Sequence, residues 1–444
     1  MNKKIQFIYQ NSEFSEKVVL TLALLMPLSL CTSILITEIF ALIIGLITIY
    51  WFFNKKNFFS DLKYFQKPLF VIILFYSIIL VSLIFSNDFN KSFLPSFFYF
   101  RYILLAIGIS YIFNKFDYSL NLLLYAFLLL ILITLIDVSY EYLKIKGYFG
   151  LSLEKYRIEK GQAFFITGFF EKEKKLGSFF IRLLPFIFSL IIFLNIKVLE
   201  KNKFEIYIIS VIGTLIFFSS ERTSFFLFIL FVIFSIKIFK FKFYTIALSG
   251  ILISIILITQ PFIVKKYISA TLFQFNINQS PTNSEIILDN LDFSDVKYLS
   301  EEHEKLIKSG IEIFKRNPLT GSGIKTYHET CNKIRSEESL DIECSTHPHN
   351  TYVQILSDTG IFAAIIIAFI FIFICFLNVK IFLKKNLPNI LKSFYILNLG
   401  IIINIMPFIP SGSIFNNWIN LMIFFPISFW FYLFIKIKKE KINI

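Results

Sequence analysis

The chain lacks the polar surface a soluble protein needs. Of its 444 residues 56% are hydrophobic, and mean hydropathy is +0.71, which excludes a soluble fold and leaves an all-α, polytopic integral membrane protein. No internal repeat is visible, and no stretch has the pattern of a separate soluble domain with its own core. A cleavable signal peptide is not expected, because the first apolar run, residues 18–36, lacks a small-residue cleavage site and is long enough to span. Arginine and histidine are scarce, with six Arg and four His, and their placement is therefore informative.

Apolar runs of about 16 to 26 residues predict twelve transmembrane helices, near 18–36, 39–53, 68–86, 93–113, 120–138, 177–196, 204–219, 223–239, 243–259, 351–377, 391–409 and 416–436. The net charge of +14 does not imply a nucleic-acid partner. Lys residues crowd the connections that become cytoplasmic when both termini are inside, while the short outer connections hold only Lys91 and Arg222, as the positive-inside rule requires. The chain thus divides into residues 1–259, a nine-helix membrane part with an outer loop at 139–176. Residues 260–350 follow as a large outer loop with short helices between helices 9 and 10, and residues 351–444 form a three-helix membrane part. The 59 Phe are assigned no function.

In the large outer loop Ile307, Ile311 and Phe314 recur at helical spacing behind a Ser300 N-cap, and Asn317-Pro318 ends that helix. Gly321 and Gly323 then form a turn. Cys331 and Cys344 admit three readings: a disulfide, two free thiols, or a Cys/His zinc site with His347 or His349. The spacing matches no specific zinc motif, so an oxidising compartment favours the disulfide.

All four His (His303, His328, His347, His349) lie in or just after this polar segment, and THPHNTYVQILSDTGIFA carries the last two into an apolar helix. Asn350 or Thr351 can cap that helix, which sets His349 just outside its positive end. An imidazole there stays neutral beside an anion site, as a base should. Asn350, Gln354 and Asp358 share one face, and Gly360 allows a close neighbour. A solvated loop His and a packing stripe would give the same pattern. All six Arg fall in spans or outer segments: Arg101, Arg157, Arg182, Arg222, Arg316 and Arg335. Because Arg forks onto phosphate oxygens, that segregation suits an outward-facing phosphate site. Arg101 lies roughly 12 Å inside its span and is a functional candidate by its depth. Arg182 can instead snorkel, and Arg222 in SSERTS can instead pair with Glu221. Lys172, Lys174 and Lys175 stand at the mouth of the sixth span.

HPHNTYVQILSDTGIFA resembles the His motif of the O-antigen ligase and polymerase superfamily, with His349, Asn350 and Gly360 at the family spacing and Ala363 departing from it. NPLTGSGIKTYH resembles the family segment before that motif, FFSSERTSFF its Ser-Arg turn, and Arg157 to Gly168 an Arg-to-Gly motif of the polymerases. The resemblance implies a GT-C-like membrane glycosyltransferase of the bacterial inner membrane that faces the periplasm and needs no metal or cofactor. It implies a donor glycan on undecaprenyl diphosphate, and as acceptor either a lipid A-core sugar hydroxyl (ligase) or another lipid-linked unit (polymerase). It gives His349 the role of catalytic base and Arg157 and Arg222 that of diphosphate ligands. Arg101, Lys174 and Lys175 are candidates to assist them, with His347, Asn350, Gly168, Gly360 and Arg182 in support. A non-enzymatic transporter of lipid-linked glycans would place charges through the inner half of the spans as well, whereas here they gather outside.

Overall fold

A computed structural model describes residues 12–55, 58, 63–145, 166–170, 173–195, 203–239 and 301–442. The expected ninth span, Ser300, Arg157 and Lys172 lie outside the described residues. Within them no strand occurs. The first part contains α1 (Phe14–Thr32), α2 (Ile34–Asn54), α3 (Gln66–Ile84), α4 (Phe89–Phe97), α5 (Phe100–Lys115), α6 (Ser119–Ile145), α7 (Leu176–Leu194), α8 (Lys203–Phe218) and α9 (Arg222–Phe239). The second contains α10 (Glu301–Arg316), α11 (Tyr327–Glu338), α12 (Thr351–Thr359), α13 (Ile361–Phe382), α14 (Asn389–Asn404) and α15 (Asn417–Lys439). Among the described residues eight stretches are long and apolar enough to cross a membrane, with α4 and α5 counted together, and α8 and α14 are shorter apolar helices.

Burial sorts these helices. The apolar windows of α7 and α15 are each 78% buried and that of α3 only 22%, so α7 and α15 form the centre and α3 faces lipid. α7 packs along α14, and α15 along α5. Small residues let α7 and α14 approach: the Ser189 and Ser393 hydroxyls lie 2.7 Å apart, and Ser393 Oγ donates to the Ser189 carbonyl at 2.7 Å, which satisfies hydroxyls that lipid would leave unpaired. At one end of the bundle the fully buried Glu16 pairs with Lys55 (2.5 Å) and Lys115 (2.6 Å). Those partners offset its desolvation and tie α1 to α2 and α5.

Three expectations are corrected. The apolar run 93–113 is two helices, α4 starting earlier on an Asp88 cap that accepts from the Lys91 amide (3.0 Å) and giving way to α5 at Phe98–Tyr99. The outer segment does carry a small core of its own, Ile313, Tyr327, Cys331, Ile334 and Ile342. It is closed by a Cys331–Cys344 disulfide with the Cα atoms 5.6 Å apart, and its apolar residues are too few and too dispersed to register as a pattern. The run 351–377 is broken at Gly360 into α12 and α13.

That break organises the region. Gly360 takes φ 80°, ψ −175°, a conformation essentially reserved for glycine, and a Cβ there would lie 2.2 Å from the Leu319 carbonyl oxygen. The carbonyls freed by the break are bound by the PLTGSG loop: Ser322 N donates to Ser357 O (2.8 Å), and Gly323 N donates to Asp358 O (2.9 Å). Ser82 Oγ on α3 also donates to Asp358 O, at 2.8 Å, and Ile361 N donates to Pro318 O at 2.9 Å. Buried polar backbone must be paired in this way. Gly360→Ala is expected to cost about 1–3 kcal/mol from backbone strain alone, read as a lower thermal unfolding midpoint in detergent. An unchanged midpoint would mean that the loop yields freely.

Candidate functional site

The break also fixes where α12 begins. Asn350 caps it, its side-chain oxygen accepting from the Tyr352 (3.0 Å) and Val353 (3.1 Å) amides. His349 just before it has φ 53°, in the left-handed region where His is tolerated better than most residues. A loop between α14 and α15 clamps this start. Ser411 N donates to the His349 carbonyl at 2.8 Å, and the Ser411 and Thr351 hydroxyls are 2.8 Å apart. Gln354 donates to Ser413 Oγ (2.8 Å) and accepts from the Ile414 amide (3.0 Å).

The two imidazoles differ in how they are held. His347 uses both ring nitrogens, Nδ1 with Thr346 Oγ1 (3.1 Å) and Nε2 with the Ser411 carbonyl (3.3 Å). His349 has no hydrogen bond to either ring nitrogen among the described residues. The His349 ring lies 4.1 Å from that of His347 and 6.0 Å from that of His303. Sequence spacing favoured His349 over His347, and the geometry supplies a reason: one ring is anchored and the other is open to a ligand.

Both line a cavity of about 750 Å³ with Lys174, Lys175, Arg182 and Glu221. Lys325, His328, Asn404, Ser411 and Trp418 complete the part relevant here. Arg182 rises from α7, roughly 9 Å along from the helix start. Its Nε donates to Ser178 Oγ (3.3 Å) and its Nη1 to Asn404 Oδ1, which leaves Nη2 for a ligand. Lys175 pairs with Glu173 and sits 5.6 Å from the Trp418 ring centre. Glu221 does not pair with Arg222. It accepts from the Gly177 (2.7 Å), Ser178 (3.0 Å) and Ser224 (3.0 Å) donors, so its carboxylate caps the positive end of α7. Burial pushes the Glu221 carboxyl up, against those hydrogen bonds and the Arg182 charge.

Other sequence candidates stand apart from this cavity. Arg222 starts α9 on an exposed turn, within electrostatic reach of Lys174 but not lining the cavity. Arg101 bonds Glu38 (2.8 Å), the Phe98 carbonyl (2.7 Å) and the Tyr102 hydroxyl (2.6 Å). It lines a separate pocket of about 400 Å³, which Lys325 also borders. Gly168 donates its amide to Glu141 (2.7 Å), and Gly360 is the helix break; neither lines the cavity. Sequence reasoning missed Lys325, Asn404 and the PSGS loop at 410–413. The only signal for the loop was a short Pro/Ser/Gly connection between two spans. Among the described residues no group of three His, Cys, Asp or Glu is arranged to hold a metal ion.

Burial, helped by the neighbouring His349 charge, pushes His347 down to about 4. Burial first and His303 second also lower His349, with Glu302 opposing. The unfolded chain takes up these protons at about pH 6.5 and the folded chain only lower. Stability is therefore complete above about pH 6.5 and is lost as the pH falls through the folded values. The unfolding midpoint of His347→Gln is expected to fall less between about pH 7 and pH 4 than that of the natural protein. Parallel slopes would exclude this imidazole as the source.

Residues 206–368 match a protein-family model described as O-antigen ligase. The match runs from α8 into α13 and includes Arg222, His347 and His349, while Lys174, Lys175 and Arg182 precede it. No curated protein sequence matches the chain.

Proposed function

We propose that this chain, a member of the O-antigen ligase-like superfamily, transfers a glycan from undecaprenyl diphosphate to a sugar hydroxyl of lipid A-core at the periplasmic face of the bacterial inner membrane. The observation that carries this reading is one cavity that combines an unengaged imidazole, His349, with the cations Arg182, Lys174 and Lys175. Breaking a glycosyl-diphosphate bond expels a multiply charged leaving group, and those cations stabilise it where its charge develops. Arg222, near Lys174, receives the entering diphosphate, and Arg157 is a further candidate for the same role. His349 accepts the proton of the attacking hydroxyl. The bond from that oxygen to the anomeric carbon forms as the bond to the diphosphate breaks, with inversion and without a metal. His347, fixed through Ser411, holds its neighbour in place. The disulfide suits an oxidising compartment.

Incubating the purified protein with a lipid-linked glycan and either lipid A-core or a second lipid-linked unit tests this. Glycan joined to lipid A-core is the expected product. A lengthened lipid-linked chain would replace the ligase reading with a polymerase, and no joined product with either acceptor would remove both.

A further inference from the structure

A further cavity, of about 660 Å³, lies between α3, α13, α14 and α15, and its walls include Phe373, Ile374, Leu377, Ile427 and Trp430. Lys67, Lys380 and Lys438 border it. These three sit at the start of α3 and the ends of α13 and α15, on the opposite side of the bundle from the histidines. None of them pairs with a carboxylate among the described residues, and Lys438 lies 5.5 Å from the Phe434 ring centre. From Lys380 to Phe369 on α13, and from Lys438 to Ile427 on α15, the lining residues cover roughly 16 Å of helix. That depth is about half of a hydrocarbon core of roughly 30 Å. The groove is thus one leaflet deep, apolar along its length and cationic at the headgroup level.

We propose that it holds one anionic phospholipid of the leaflet opposite the histidine cavity, with the acyl chains on the apolar wall and the phosphate among Lys67, Lys380 and Lys438. A zwitterionic lipid brings its own cation beside the phosphate and so adds no net negative charge among the three lysines, whereas an anionic lipid does. A polyprenyl diphosphate whose phosphates lie at Arg182 would bring no anion to this end. The inference does not depend on the proposed transfer reaction, because its test reads lipid binding alone.

Trp430 in the wall is the reporter. The purified full-length chain in neutral detergent is titrated with phosphatidylglycerol or phosphatidylcholine bearing brominated acyl chains, and tryptophan quenching is followed. Phosphatidylglycerol is expected to quench at lower concentration, and Trp430→Phe to remove most of the effect. The preference should shrink roughly fivefold for each of Lys67→Gln, Lys380→Gln and Lys438→Gln, weaken with salt, and persist in the Lys→Arg variants. Native mass spectrometry of the natural chain, expected to retain one phosphatidylglycerol, reads the same site without any substitution. Equal quenching by the two lipids, a preference that survives the triple Lys→Gln change, or displacement of phosphatidylglycerol by a polyprenyl phosphate would each overturn the proposal.

Discussion

His349→Ala is expected to lower glycan transfer by about 10²–10⁴-fold, the usual contribution of a positioned general base, while the protein still accumulates in the membrane and binds donor. Such a separation is foreseeable because the ring makes no hydrogen bond within the described protein, so its loss leaves no partner unsatisfied. The backbone position, held by Ser411 N at 2.8 Å, survives the substitution. The comparison is His347→Ala, which strips partners from Thr346 and Ser411 and should cost stability as well as rate. Transfer by His349→Ala within about tenfold of the natural protein would deny His349 the role of base.

Arg182→Ala is expected to reduce transfer by about 10²–10³-fold, the scale for removing a preorganised charge from a developing anion. Arg182→Lys should recover only part of this, because an ammonium keeps the charge and loses the planar fork. Asn404→Ala discriminates between a positioning effect and a direct one. It frees Nη1 of Arg182 without removing the guanidinium, so it should raise KM or lower kcat far less than Arg182→Ala does. Full activity in Arg182→Ala would move the proposed phosphate site to Arg222 and Arg157.

Arg182 also shows why part of this site was hidden in the sequence. Near a helix end it reads equally well as a snorkelling residue, and only the approach of Asn404, 222 positions later, makes it part of a cavity. Arg101 is the opposite case: its position within an apolar run suggests function, and only the structure shows it paired with Glu38, 63 positions earlier, beside a different pocket. Apolar length was legible because it depends on local composition, and α10 was legible as a helix from its apolar period, although the face it buries is Leu306, Ser309, Gly310 and Ile313, and Ile311 is exposed. Gly360 was not legible. A glycine in an apolar run looks the same whether it permits close packing or takes φ 80°, and the difference lies in a loop some forty residues earlier that fills the gap, as in the Ser322-to-Ser357 hydrogen bond. The Asn350 cap was visible because a cap is a local interaction.

The clamp on α12 reaches back across the order of synthesis. Ser411 meets Thr351 from sixty residues further on, so the residues that orient His349 emerge from the ribosome only after α13 and α14 have been made. Until α15 follows and seats the loop, the His349 carbonyl and the Thr351 hydroxyl lack their Ser411 partners, and the His347 ring lacks the carbonyl that anchors its Nε2. On the proposed function, a chain ending before Ser411 is accordingly expected to show no glycan transfer, because the cleft is complete only when the last span has joined the bundle.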